Sequence, residues 1–226
     1  MQQDKRKAGR PHQALTQQDI VAAAAPLFAA RGLEGVSLRE LGEQVGIRKA
    51  SLLHHFASKE ALYVAVIDEA IGALTGLIVA AKLDEGAFPE RLDRLGELVC
   101  AALAARPETA RLLLHELVDE GPYLSSGGGP RVQATLELTA AFLEAGMEAG
   151  AFRREDPRQL ALSIVGLHLL PFAAARVTSG LLGADLFSPG QLAARRDAVL
   201  GQVRALCLPP ATLARRPRHT PRRGFR

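Results

Sequence analysis

Tryptophan does not occur in this chain, and tyrosine, methionine and cysteine occur only twice each. So few aromatic rings argue against an aromatic cage for a cationic ligand. Cys100 and Cys207 lie far apart with no CxxC partner, which argues against a disulfide framework or a thiolate zinc site and points to a reducing cytoplasm. No run of about 18 apolar residues is free of charge, proline and glycine, so no membrane span is expected. The basic N-terminus has no apolar stretch of signal-peptide type behind it. P-loop, GxSxG, HExxH and dinucleotide-binding patterns are missing, so an enzyme is not expected, nor is a cofactor or metal. His54 and His55 are adjacent, and successive helical residues point about 100° apart, which does not suit one shared ion.

What is present is apolar bulk and an uneven charge. Hydrophobic residues make up 48% of 226 positions, enough to fill one large or two smaller cores. The formal net charge is +4. Residues 1–67 hold nine basic and six acidic side chains, the tail after Leu208 holds six arginines and no acid, and the stretch between is net acidic. Basic ends around an acidic body suit a polyanionic partner at the ends alone.

Apolar residues recur at three- and four-residue spacing almost throughout, so the fold class is all-α. Thr16 with Asp19 opens a first helix, whose apolar face is Ile20, Ala24, Leu27 and Phe28 and which stops at Arg31-Gly32. Ser37 to Glu40 reads as a capping box for a second helix, ended by Gly46. A third runs from about Arg48 to Phe56, and Ser58 caps a long fourth. Pro and Gly punctuation then separates five more: to about Arg106, from Pro107 to about Glu120, to about Gly150, from Pro157 to about Gly180, and from Pro189 to about Leu208. Residues 125–130 read as a loop.

The segment SLRELGEQVGIRKASLLHHFASK, residues 37–59, reads as two short helices about a tight turn at Gly46, the arrangement that places its second helix in a DNA major groove. Leu38, Leu41, Val45, Leu52 and Phe56 are assigned to a small core, and Gly42 to the close approach of the two helices. That leaves Arg48, Lys49, Ala50, Ser51, His54 and His55 on the outside, a concentration of donors and cations suited to phosphates and base edges.

Phe28, Arg31-Gly32 and the run GLEGVSLRELGEQVGIRKASLLHHFASKEALYVAV resemble the DNA-binding domain of the TetR (tetracycline repressor) family, with Gly46, Ile47, Leu52, His55, Phe56, Lys59, Glu60 and Leu62 on its pattern. The resemblance implies an N-terminal three-helix helix-turn-helix domain and a C-terminal helical ligand-binding and dimerisation domain. It implies that Ser37 and Arg39 approach phosphate, and that Arg48, Lys49, Ala50 and Ser51 meet base edges with His54 beside them. His55 and Lys59 then hold the backbone. Leu53 stands where the family usually has an aromatic, so at most an apolar contact is expected there. The expected divisions are a basic arm (1–14), the DNA-binding domain (15–67), the sensing domain (68–208) and a disordered basic tail (209–226).

Lys5, Arg6, Lys7 and Arg10, next to Pro11, resemble the minor-groove core of an AT-hook. Dimerisation is implied because two symmetry-related recognition helices read a palindrome, and Leu160, Ile164, Leu167, Leu170, Leu192, Val199, Val203 and Leu206 are the expected contact stripes. An effector of apolar or weakly acidic character is expected among Leu103, Leu113, His115, Glu116, Phe142, Met147, His168 and Phe172. A repressor released by that small molecule is the first reading. An activator of the same fold and a nonspecific architectural DNA-binding protein are the alternatives.

Overall fold

A computed structural model of the chain describes residues 15–210, and every regular element among them is helical. The helices are α1 (Gln17–Arg31), α2 (Leu38–Val45), α3 (Lys49–His55), α4 (Lys59–Ala80), α5 (Phe88–Ala105), α6 (Pro107–Asp119), α7 (Gly129–Glu148), α8 (Pro157–Ala173), α9 (Ala175–Leu182) and α10 (Pro189–Cys207). The expected caps are in place. Thr16 accepts from Asp19 N–H and Ser37 from Glu40 N–H, both within capping boxes, and Ser58 accepts from Ala61 N–H. Gly46 ends α2 in the left-handed region at φ +78°, a conformation that side chains with a Cβ rarely adopt.

Three apolar clusters hold the bundle. The first runs from the N-terminal helices into the C-terminal half: Ile20, Phe28, Leu41 and Leu52 share it with Leu62 and Ile67 of α4 and Leu112 of α6. Burying such side chains stabilises by roughly 1.5–3 kcal/mol each. Helix α4 runs unbroken through the expected domain boundary at residues 67–68, and α1 packs along α6. The second cluster joins α5, α7, α8 and α10 around the Phe88, Phe142 and Phe152 rings, with centroids 5.6–5.9 Å apart. The third is small, built on Leu103, Ala110, Phe172 and Leu186. By length and composition α4 is apolar enough to cross a membrane; here Leu62, Val66, Ile67, Ala70 and Ile71 lie buried against neighbouring helices.

Three sequence expectations are corrected. The single eighth helix is two, α8 and α9, set at 82° to each other. Pro171 has no N–H, so the Leu167 carbonyl one turn back loses its helical donor, and the Arg195 guanidinium supplies one at 2.8 Å. Beyond the bend the Thr178 hydroxyl donates to the Pro171 carbonyl at 2.9 Å. Residues 124–128, expected within a loop, form a wide turn that is broken at Gly127, whose φ of +101° is not helical, and α7 begins at Gly129 inside the expected loop. The Ser125 hydroxyl donates to the Gly121 carbonyl at 2.7 Å, and the Tyr123 ring lies where a Cβ on Gly128 would be.

The third correction concerns the dimer stripes. Leu160, Ile164, Val199 and Val203 are buried inside this chain's own second cluster. The apolar side chains left exposed on α8 and α9 are Leu162, Leu170, Val177, Leu181 and Leu182. Apolar period alone does not distinguish a helix's two buried sides, because core and interface share composition.

Candidate nucleic-acid interface

The α2–α3 unit is held by packing too tight to allow sliding. Leu41 and Leu52 are fully buried, one from each helix. A Cβ on Gly42 would stand 2.7 Å from the Ile47 carbonyl oxygen, so the turn between the helices passes directly over this glycine. The Ile47 N–H donates to the Gly42 carbonyl at 2.9 Å and closes the turn. With Leu52 pinned inward, the helical period turns Lys49, Ala50, Ser51, Leu53 and His54 outward, and all five are exposed. Arg48, also exposed, precedes them at the helix start.

Partners separate these residues into two kinds. Ser37 is occupied by its cap: its N–H and hydroxyl both donate to Glu40 Oε2 at 2.9 Å. Arg39 pairs with Glu43 at 2.8 Å in full solvent, a contact worth little by itself and readily exchanged for a phosphate. Lys59 is largely covered and lies 3.9 Å from Glu34. Arg48 and Lys49, in contrast, have no ion pair or side-chain hydrogen bond among the described residues. Glu40 also receives Arg31 at 2.7 Å, and together the Ser37 N–H, the Ser37 hydroxyl and Arg31 hold its carboxyl down at about 2. That carboxylate clamps α1 to α2.

An open groove of about 670 Å³ runs beside α3, lined by Ser37, Arg39, Lys49, Leu53, Ser58 and Lys59 among others. Hydroxyls and cations from three helices thus border one channel, with Leu53 on its apolar wall. The carboxylates that share it include Glu40, held by Ser37 and Arg31, and Glu34 near Lys59, besides Glu60. Such a surface offers phosphate contacts along the channel and base-edge contacts from α3. His54 is exposed; His55, expected outside, is half-buried, and its carbonyl accepts from Gln17 Nε2 at 3.0 Å. Gln17 therefore ties α1 to the end of α3. Nothing in the apolar period marks it, because its partner is a backbone oxygen 38 residues away. Lys5, Arg6, Lys7 and Arg10 and the arginines after Leu208 lie outside the described residues.

The eight effector candidates are not brought together. Leu113 belongs to the first cluster, Phe142 and Met147 to the second, and Leu103 and Phe172 to the third. His115 is half-buried. Glu116 and His168 are almost fully buried on different helices, and each keeps one polar atom without a partner. Glu116 Oε1 accepts from the Leu124 N–H at 2.8 Å, and Gly121 leaves room for the carboxylate against the backbone. Arg195, whose charge acts on His168 and which bonds the Leu167 carbonyl, and Cys100, which neighbours Arg195 electrostatically, carried no signal in the sequence pattern.

Residues 20–66 match the family described as "Bacterial regulatory proteins, tetR family", and residues 89–203 match "Tetracyclin repressor-like, C-terminal domain". The chain is similar to the HTH-type transcriptional repressor KstR2 of Rhodococcus jostii, 32% identical over 151 residues, covering 63% of this chain and 71% of that protein. It is also similar to an HTH-type transcriptional repressor of Mycobacterium tuberculosis, 28% identical over 204 residues, covering 88% and 98%. The solved structure of AibR in complex with isovaleryl coenzyme A and operator DNA shares the fold at TM-score 0.67 and 19% identity, over 83% of this chain and 97% of that one.

Proposed function

The chain belongs to the TetR family of bacterial transcriptional regulators, and from that premise we propose that it represses transcription as a homodimer on a palindromic operator and is released by a small-molecule effector. The observation that carries this reading is the pair Arg48 and Lys49, held outward on the recognition helix with no ion pair or side-chain hydrogen bond among the described residues. Base reading falls to Arg48, Lys49, Ala50, Ser51 and His54, with bidentate donors for guanine and a small side chain for a thymine methyl. Arg39, His55 and Lys59 hold phosphates, and Ser37 presents its helix end while its hydroxyl stays in the cap. Leu53 adds an apolar contact at the groove wall. The protein works in the cytoplasm, where its DNA partner lies.

One seven-residue helix reaches too few base pairs to select a site, which is the reason for two copies related by a two-fold axis. The exposed Leu162, Leu170, Val177 and Leu181 of α8 and α9, with Ala194, Ala198 and Ala205 of α10, form the surface the second copy covers. Effector binding in the C-terminal bundle shifts α6 and α4, which share the first cluster with α1, and so changes the spacing of the two recognition helices. Of the eight expected effector residues, the site uses Leu103 and Phe172, which share the third cluster, with His168 of α8 as its polar group; Leu113, His115 and Glu116 of α6 and Phe142 and Met147 of α7 lie apart from it.

Selection of bound sequences from a random duplex library at near-physiological salt tests the reading, with the wild type and Lys49→Ala side by side. A palindromic consensus that relaxes in the variant supports it. Binding without any consensus, equal in both proteins, would replace it with a nonspecific architectural role.

A further inference from the structure

Three buried side-chain atoms have no hydrogen-bond partner among the described residues: Glu116 Oε2, His168 Nε2 and Arg195 Nε. The last two belong to neighbouring side chains of α8 and α10, Arg195 bonding the carbonyl of the residue before His168, and each side chain is held by a bond made elsewhere on it. His168 is 5% exposed, and its Nδ1 lies 2.8 Å from the Ile164 carbonyl oxygen. A carbonyl only accepts, so Nδ1 carries the proton and Nε2 of the neutral ring is a bare lone pair. Arg195 reaches across from α10 to the Leu167 carbonyl, the residue before His168, because Pro171 has freed that oxygen. With one guanidinium nitrogen anchored there, Nε is left buried with its hydrogen unused.

The floor of this spot is α5. A Cβ on Gly96 would stand 2.5 Å from Leu200 Cδ2 of α10 and at ordinary contact distance, 3.6 Å, from His168 Nε2, so Gly96 gives Leu200 its seat and faces the imidazole edge. One turn on, Cys100 is buried beside Arg195, and burial pushes its thiol up to about 11, which keeps it neutral. The apolar third cluster adjoins, with Val99, Leu169 and Leu192 packed against Leu103 and Phe172. Other charges facing the spot are Glu97 on α5 and Arg196 on α10, with the Asp93–Arg204 pair farther along the same two helices.

We propose that His168 and Arg195 are the anchor for the carboxylate of an effector whose apolar body enters the third cluster, bound with uptake of one proton. This rests on the effector-released regulator reading above. In the complex one carboxylate oxygen accepts from Arg195 Nε–H. His168 Nε2 takes a proton from solvent and donates it to the other oxygen, so the imidazolium formed faces the anion it binds. Two charge-assisted bonds replace two unmet ones. An amine would meet the Arg195 cation instead and is disfavoured. Because α8 packs along α6 and α6 along α1, displacement of Leu200 and α8 by such a ligand reaches the reading head.

Octanoate and its neutral counterpart octanamide are the probes, with binding heats measured by calorimetry at pH 7.5 in two buffers of different ionisation enthalpy. Octanoate is expected to bind with uptake of about one proton per chain, and at least about tenfold more tightly than octanamide. His168→Gln, which cannot protonate, abolishes the uptake; Arg195→Gln weakens octanoate by about tenfold or more. Both variants keep operator affinity, which shows that they fold. Should either fail to fold, ¹⁵N-histidine spectra of the wild type supply the readout, with the His168 Nε2 signal moving from unprotonated to protonated as octanoate is added. The proposal is overturned by equal binding of acid and amide, by octanoate binding without proton uptake, or by no octanoate binding to a protein that holds its operator. A wild type that selects no DNA sequence would instead overturn the regulator reading.

Discussion

Arg48 on the recognition helix and Arg195 in the C-terminal bundle carry the same guanidinium under opposite conditions. Arg48 is exposed at the start of α3, with no ion pair or side-chain hydrogen bond among the described residues. Arg195 threads between α8 and α10, one nitrogen bonded to Leu167 and another buried without a partner. An unpartnered cation in water incurs little energetic penalty and suits a large polyanion that arrives with its own surface. An unpartnered buried donor costs about 1–3 kcal/mol, and such a deficit is met by a ligand small enough to enter. The two regions therefore accept two classes of partner for one physical reason: where the unmet hydrogen bonds lie.

The largest effect expected from breaking this contrast is on the fixed frame of α3. Leu52→Ala removes a fully buried side chain shared by α1, α2 and α3, and should lower unfolding free energy by about 2–5 kcal/mol. Denaturant unfolding measures the loss, and operator binding should disappear with it. Next comes the face between copies. Leu170→Glu on exposed α8 should leave the monomer's helicity unchanged yet weaken dimerisation by at least about tenfold, read by sedimentation. If the dimer is unaffected, the second copy covers another surface.

A smaller effect concerns acid. Burial pushes His168 below the ordinary histidine range near 6.5, and the nearby Arg195 charge lowers it further, against the Ile164 carbonyl, which raises it. The folded chain thus binds this proton less readily than the unfolded chain. The stability tied to a neutral His168 is complete above pH 6.5 and is lost as pH falls below it, by at most about 1.4 kcal/mol per pH unit. Melting temperatures between pH 7.5 and 5 should show this slope, and His168→Gln should flatten it. The smallest effect belongs to Arg39. Its pair with Glu43 is exposed, so Arg39→Ala should leave stability within about 0.5 kcal/mol while reducing the salt slope of DNA binding by about one.

The same contrast explains what could be read from the amino-acid order. The head is written in local signals: the Ser37–Glu40 box, Gly42 and Gly46 at fixed offsets, and the outward set from Arg48 to His54 that follows once Leu52 is inside. Its expected elements lie where they were placed, and the family pattern covers the same stretch. The bundle is written in pairings across long separations. His168 faces Gly96, Arg195 bonds the Leu167 carbonyl beside it, and no spacing rule connects residues on three separate helices. Leu160 and Val199 carry the period of an interface and lie in the chain's own core. One unbroken helix was expected through Pro171, and the groups that meet the carbonyls at the 82° bend, Arg195 and Thr178, lie beyond the helix that Pro171 interrupts.

The central claim is that the free side chains of α3 read bases and do not merely bind phosphate. The most direct test is the ratio of affinities for the selected operator and a scrambled duplex, measured across a salt series for the wild type and Lys49→Ala. A wild-type ratio of at least about 10³ is expected, reduced in the variant by about 1–3 kcal/mol with the salt slope nearly unchanged. A variant that keeps the full ratio and loses about one in salt slope would make Lys49 a phosphate contact and contradict the account.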